Sequence, residues 1–316
     1  MTHSFIQVAT LWKTDKRQWI KPSTYAEYVY HLNKHILPFF SKPEAVPITE
    51  DTVQQFVHHL RAEGLSLNTI RDSLMVLRMI LKFGVKLGAW PHQEFNVHFP
   101  NDVKTNRNAP VMPPSDQKVL LEYIQRNFSF RNLGILICLH TGLRIGEVCA
   151  LLWQDLDIEN GVVHITKTVQ RLWLSDGEEK VNSLTIHSPK TATSTRDIPI
   201  SMSLMKIVRP LRKVMDPAAY VISNSRTPLE PRYYRDYFHR LQKQLGLQPV
   251  RFHALRHSFA TRCIESKCDY KTVSVILGHA SLSTTMDLYV HPDFAEKKKV
   301  IEKMTRRLTL QACFSY

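Results

Sequence analysis

The sequence predicts a mainly α (α+β) protein of two domains with one small β-hairpin element. Three observations predict it. Apolar residues recur at three- and four-residue steps through most of the 316-residue chain. Residues 96–114 (NVHFPNDVKTNRNAPVMPP) lack that period, carry four prolines and separate two periodic regions. Beyond them, Asn160-Gly161 precedes the run Val162-Val-His-Ile-Thr, a strong local signal for a hairpin.

The first region holds four helices. Residues 4–22 carry the stripe Phe5, Val8, Leu11, Trp12 and stop near Pro22. A second helix starts at Ser23 or Thr24, with Tyr25, Tyr28, Val29, Leu32 and Ile36 at helical spacing. Thr49 caps a third, with Val53, Phe56, Val57 and Leu60 inward and Gly64 as its stop. Ser66 caps a fourth, which runs through Ile70, Leu74, Leu77, Ile80 and Leu81 to Gly88. Four such helices form a small bundle. Arg71, Arg78, Lys82 and Lys86 fall on its exposed positions, and that pattern alone fits a solvated face as well as a DNA face.

In the second region Ser115 caps a helix with the stripe Val119, Leu120, Tyr123, Ile124. Leu133 to Leu139 is apolar all round and so belongs in the core. Gly142 ends that helix, and Arg144 opens the next, which carries Glu147 and Leu151. After the strand at Gly161, two further strand-like runs, Ser183 to His187 and Arg196 to Ile200, flank 188–195 and place Lys190 near the tip of a hairpin loop. Helices resume near Met202 and after Pro231, and a last one spans Phe294 to Leu308. No fixed-period repeat interrupts this order.

Charge narrows the class of partner. Lys and Arg number 42 against 28 Asp and Glu, a net of +14, which suits a polyanion. Residues 1–105 hold 12 basic against 9 acidic side chains, +3, and the remainder 30 against 19, +11. No apolar run reaches the ~18 residues of a spanning helix, and the N-terminus lacks a signal-peptide pattern, so a cytoplasmic protein is expected. The five cysteines (Cys138, Cys149, Cys263, Cys268, Cys313) are odd in number and form no C-x-x-C, as expected of reduced thiols.

The chemistry gathers between Arg251 and His291, RFHALRHSFATRCIESKCDYKTVSVILGHASLSTTMDLYVH. His253 and Arg256 are three apart and share a helix face. Gly278 ends the next helix, His279 follows it, and a third short helix, capped by Ser281 or Ser283, carries Tyr289. Each residue has an ordinary alternative: a satisfied polar histidine, a surface arginine, a packed tyrosine. His253 and His257 also stand at a metal-ligand spacing, but no third ligand is near, so no metal and no cofactor is expected. In combination, His253-x-x-Arg256, Leu277-Gly278-His279 and Tyr289 ten residues on, preceded by Thr141-Gly-Leu-Arg144-Ile-Gly-Glu147, closely resemble the two signatures of the tyrosine recombinase (phage integrase) family. The resemblance covers about Ser23 to Pro292.

That resemblance implies a fold and a reaction. Residues 1–100 would be a SAM-like core-binding bundle that clamps DNA, 101–114 a linker, 115–308 the catalytic domain and 309–316 a tail. Arg71, Arg78, Lys82, Lys86, Lys104 and Arg107 would touch DNA phosphates. Tyr289 would attack the scissile phosphate, form a 3′-phosphotyrosine and expel a 5′-hydroxyl. The bond energy is kept, so no external energy is needed. A phenol of pKa ~10 is ionised about once in a thousand at neutral pH, a cost near 4 kcal/mol, so the site must assist. Arg144 and Arg256 would clamp the phosphate, since a guanidinium is always charged and bidentate. His253 would exchange a proton with the nucleophile, and His279 would bond a non-bridging oxygen. Lys190 would protonate the leaving oxygen, with Lys167 as competitor, and Glu147 would support Arg144.

The resemblance also implies partners: double-stranded DNA, further copies of the chain up to a synaptic tetramer, and room for an accessory directionality factor. The chain begins almost at the bundle, so a separate arm-site domain is not expected. A mobile-element integrase is the leading expectation. The alternatives are a chromosome- or plasmid-dimer-resolving recombinase, a type IB topoisomerase-like nickase and a catalytically silent DNA-binding relative.

Overall fold

The computed structural model describes residues 3–41, 48–92, 95–99, 111–176, 179–188, 194–279, 281–289, 298 and 301–302. The chain divides into two compact units, Met1–Thr105 with Arg171–Thr185, and Asn106–Gln170 with Ile186–Tyr316.

The first unit is the expected helical bundle with an addition. Helix α1 (Phe5–Trp19) is capped by Ser4, whose hydroxyl accepts from Gln7 N while Gln7 Oε1 accepts from Ser4 N. Its buried face is Val8, Ala9 and Trp12; Leu11 is 45% exposed, because it stands about 100° round the helix from Trp12. Pro22 is the first residue of α2 (Pro22–His31), where a missing N–H costs nothing. The helix continues through a π segment, Leu32–Ile36, into α3 (Leu37–Phe40). Pro38 lacks an N–H and crowds the carbonyl four residues back, and the turn before it widens. Thr49 caps α4 (Glu50–Ala62), and Ser66 caps α5 (Leu67–Lys86). Trp12, Leu32, Ile36, Phe56, Leu60, Ile70, Leu77 and Ile80 fill the core.

The addition is a hairpin from far along the chain. Strands β3 (Thr168–Asp176) and β4 (Glu179–His187) pair with each other alone. Leu174 packs on Tyr25, Ala26 and Val29. Asp176 accepts from Lys13 Nζ at 2.5 Å and from the Tyr25 hydroxyl at 3.0 Å, and Asn33 donates to Ser175 O.

The second unit opens with α6 (Pro114–Arg126). Pro113, not Ser115, occupies its N-cap, and Pro114 starts it with φ already suited to a helix. Leu120 and Ile124 face inward, whereas Val119 is 43% exposed. Helix α7 (Phe130–Thr141) is buried along nearly its whole length, as its all-apolar run predicts. It ends at Gly142, whose φ of +67° suits glycine, and a Cβ there would come within 2.7 Å of Phe259 and Leu277. Then come α8 (Ile145–Ala150) and a three-stranded antiparallel sheet in the order β1 (Leu156–Asp157), β2 (Val162–Ile165), β5 (Arg196–Pro199).

This sheet confirms the hairpin at Asn160-Gly161, with Leu156 opposite Val163, and corrects the strand pairing beyond it. Ser183 to His187 belongs to β4 and pairs with β3; Arg196 pairs with Ile165 of β2. The strands on either side of 188–195 therefore lie in different sheets and do not make one hairpin. Alternation marks a strand but names no partner, because pairing is a long-range choice.

Helices α9 (Met202–Arg212), α10 (Pro231–Gln244), α11 (His253–Glu265), α12 (Tyr270–Leu277) and α13 (Leu282–Tyr289) complete the described elements. The expected helix from Phe294 to Leu308 and the tail lie almost wholly outside the described residues. Cys138 and Cys149 are buried and Cys268 exposed, all free thiols, as is Cys263; Cys313 lies outside the described residues. No helix is long and apolar enough to cross a membrane among the described residues.

Candidate active site

The site is built around the C-terminal end of α12. A helix leaves its last carbonyls without intrahelical donors. Here each one from Ser274 to Gly278 has a partner. Gly278 adopts φ +65°, so His279 N donates to Ser274 O at 3.1 Å and Gly278 N to Val275 O at 2.9 Å, a Schellman turn. The next three carbonyls are taken by three arginines from three other segments. Arg196 Nε donates to Ile276 O at 2.5 Å, Arg256 Nη2 to Leu277 O at 2.8 Å and Arg144 Nη2 to Gly278 O at 2.8 Å. Cations are also favoured there by the negative end of the helix dipole.

Glu147 ties the arginines together. It stands three residues into the turn that Arg144 opens, and its carboxylate accepts from Arg144 N at 2.8 Å and Arg144 Nη1 at 2.9 Å. Arg196 grips the same carboxylate at both oxygens, Nη1 to Oε1 at 3.0 Å and Nη2 to Oε2 at 2.9 Å. Burial pushes the Glu147 carboxyl up, but the hydrogen bonds and charge of Arg196, then those of Arg144, outweigh it and hold the group below the usual carboxylate range. Glu147 is therefore a buried anion between two guanidiniums. Arg256 is 2% exposed and also donates from Nη1 to Gly142 O at 2.9 Å. The glycine that ends α7 thus presents a carbonyl to one of the candidate phosphate ligands.

The histidines complete the group. Burial, followed by the charge of Arg256 and Arg144, lowers His279 to about 4. Its Nδ1 lies 2.7 Å from the hydroxyl of the buried Thr285 on α13. His253 heads α11; desolvation by its packed surroundings, then His257, Arg256 and Arg144, lower it to about 4 although part of the residue faces solvent. Without an anion in the site both rings are neutral near pH 7, so each carries one N–H and one lone pair. His253 and His257 pack edge to face with ring centroids 4.6 Å apart. They form no metal cluster; among the described residues only Glu27, His31 and Asp72, in the first unit, bring three potential ligand atoms within 4.8 Å of one another.

Arg144, Glu147, Arg256 and His279 thus gather at one helix end, with His253 within their electrostatic reach. Tyr289 is the last residue of α13, and only its helical backbone is described. Lys190, Lys104 and Arg107 lie outside the described residues. Lys167 sits between β2 and β3, not on a strand. Arg196 was missed. Its signal was available: Arg196, Ile198 and Ile200 alternate on the buried side of their strand, and an arginine on an apolar face requires a buried partner.

In the first unit Arg71, Arg78 and Lys82 line one hollow of about 440 Å³ with Leu74, Met75, Met79 and Phe99. Steps of seven and four residues keep the three cations on one side of α5. The Arg71 guanidinium lies 5.3 Å from the Phe99 ring centroid, and Lys86 is exposed one turn beyond Lys82.

Residues 111–296 match the profile of the phage integrase family, and residues 4–61 that of the phage integrase N-terminal SAM-like domain. The chain belongs to the phage integrase family. The N-terminal match of this integrase-family chain begins well before Ser23, where the motifs give little warning of it.

Similar proteins include the ICEBs1 integrase of Bacillus subtilis (strain 168), 27% identical over 300 residues, covering 90% of this chain and 78% of that protein. Tyrosine recombinase XerA of Pyrococcus furiosus is 28% identical over 286 residues, covering 89% and 87%. Among solved structures, the Tn1549 transposon integrase in complex with transposon right end DNA superposes with a TM-score of 0.75 at 22% identity, covering 94% of this chain and 99% of that one. A lambda integrase tetramer bound to a Holliday junction gives 0.65 at 17%, covering 93% and 80%. These likenesses show the two-part fold of the integrase family, a SAM-like bundle and a mostly helical catalytic domain.

Proposed function

We propose that this chain is the integrase of a mobile element, a site-specific tyrosine recombinase that cuts and rejoins DNA through a covalent 3′-phosphotyrosine. The observation that carries the reading is the convergence of Arg144, Arg256 and His279 on one helix end. Two guanidiniums and a neutral imidazole are the groups a phosphoryl transition state needs, because charge develops on its non-bridging oxygens. Tyr289 closes the helix that follows His279, and it serves as nucleophile. An entering phosphate raises the pKa of His253, which favours uptake of the phenol proton. The hollow of Arg71, Arg78 and Lys82 offers cations for phosphate and apolar surface for sugar, as one half of a DNA clamp; Lys86, Lys104 and Arg107 are assigned as further phosphate contacts.

The test is strand transfer. Two labelled duplexes bearing the element's attachment sequences are incubated with the chain, chelator and no nucleotide. Molecules joining the two duplexes are expected. Nicked or relaxed DNA without joint products would mean a type IB-like nickase. The integrase names of the ICEBs1 and Tn1549 relatives favour a mobile element, as do the ten-residue step from His279 to Tyr289 and the Asp287-Leu-Tyr ending. Dimer resolution is the second reading, since the similar tyrosine recombinase XerA is not named an integrase. Attachment repeats flanking the gene decide for the first.

Lys190 is assigned as the general acid. A proton delivered to a leaving alkoxide is typically worth about 10²–10⁴ in rate. Lys190→Ala is therefore expected to be slow on ordinary DNA and near wild type on DNA with sulfur in the 5′-bridging position, since a thiolate leaves unprotonated. Arg144→Ala is expected to stay slow on both. If Lys190→Ala is equally slow on both substrates, the acid lies elsewhere and Lys167 is next to test.

A further inference from the structure

We infer that Arg196 is a positioning residue for the reaction: it fixes the phosphate-binding arginine Arg144, by gripping Glu147 and by holding Ile276 O in the helix end that supplies the second anchor of Arg144. The inference rests on the assignment of Arg144 as a phosphate ligand.

The geometry sets Arg196 apart from an ordinary structural cation. Its side chain is 4% exposed, and that of Glu147 3%. A buried ion pair is costly to desolvate, and an apolar side chain of similar volume often serves stability as well or better. The strand itself asks for nothing charged, since Ile198 and Ile200 hold the same face with hydrocarbon. The guanidinium donates four hydrogen bonds: to both Glu147 oxygens, Ile276 O and Ser194 O.

Arg144, by contrast, keeps 35% of its side chain exposed, as a group that must receive a ligand should. A long side chain open to solvent needs anchors to hold one direction. It has two. One is Glu147 Oε1, on the carboxylate that Arg196 clamps end-on. The other is Gly278 O, two residues after the carbonyl that Arg196 holds. Arg196 therefore stands behind both anchors of Arg144, and its own side chain is shielded from solvent. Without it the Glu147 carboxylate is free to turn with Arg144, and the α12 end loses one of its three side-chain donors. An error near 1 Å in a transition-state ligand can cost about 10²-fold in rate.

The experiment is a double-mutant cycle on the full-length protein, read as covalent adduct on a nicked suicide substrate at saturating DNA, with DNA affinity and thermal melting measured for each variant. Arg196→Met removes the charge and keeps the bulk; Arg196→Lys keeps the charge without the two-point grip. Arg196→Met is expected to slow cleavage about 10- to 100-fold, with DNA affinity within about threefold of wild type. Arg196→Lys is expected to fall between Arg196→Met and wild type. In an Arg144→Ala background, Arg196→Met is expected to cost less than about threefold more, because the group it positions is gone. Wild-type cleavage by Arg196→Met overturns the inference. So does a loss that follows affinity alone, or an equal further loss in the Arg144→Ala background. If Arg196→Met does not melt cooperatively, Arg196→Lys carries the cycle with the same criteria. If Arg144→Ala itself cleaves at the wild-type rate, the assignment of Arg144 fails first. If Arg144→Ala is slow and the two losses multiply, only the role of Arg196 fails.

Discussion

Tyr289→Phe is expected to bind target DNA like the wild type and to form no covalent adduct with a nicked suicide substrate. The substitution removes a single oxygen and keeps the ring. DNA affinity comes from many phosphate contacts across a strongly basic chain, +14 overall, and none depends on the phenol. In the proposed mechanism the chemistry depends on it wholly, because the phenol oxygen is the atom that would bond to phosphorus. Loss should therefore be complete. An adduct at wild-type level would place the nucleophile elsewhere and end the proposed mechanism.

Arg144→Ala and Arg256→Ala are expected to come next in size, each lowering the cleavage rate by about 10³–10⁵ at saturating DNA, as for a transition-state arginine in other phosphoryl transfers. Binding should stay within about tenfold of wild type, since each variant loses one cation among many. The two should differ in stability. Arg256→Ala strips the donors from Gly142 O and Leu277 O in a buried place, at about 1–3 kcal/mol for each carbonyl left unpaired. Arg144→Ala leaves Glu147 its two-point contact with Arg196, and Gly278 O is the main group orphaned. Thermal melting should thus fall further for Arg256→Ala than for Arg144→Ala, while cleavage falls heavily in both. A drop in cleavage that follows affinity would make these ordinary phosphate contacts.

Local signals read the chain well. The caps at Thr49 and Ser66 and the stops at Gly64, Gly142 and Gly278 are short-range physics and were legible, whereas the pairing of Arg144 with Glu147 was implied by the family resemblance. The inward faces of α4 and α5 followed from their period. What escaped depends on distant partners. The run 183–187 resembled one half of a hairpin with Arg196 to Ile200, yet β2 and β4 compete for such strands and alternation cannot choose between them. The packing of residues 171–185 on α1 and α2 through Asp176 joins groups more than 150 positions apart. Arg196 meets Glu147 and Ile276 across 49 and 80 positions, so its role emerges only when β5 and α12 are placed.

The arginine-held end of α12 also bears on when the enzyme becomes dangerous. A tyrosine able to break DNA is hazardous in a half-made protein. Arg144 reaches Gly278 across 134 positions, and Arg196 and Arg256 reach their carbonyls across 80 and 21. Contacts of such separation form late, because the chain must first give up the entropy of closing long loops. During synthesis Arg144 and Arg196 leave the ribosome well before the helix they must grip. A chain stalled at that stage would lack these contacts between the proposed catalytic residues and the helix end. In the proposed mechanism the ability to cut would therefore arise only once these distant contacts have formed.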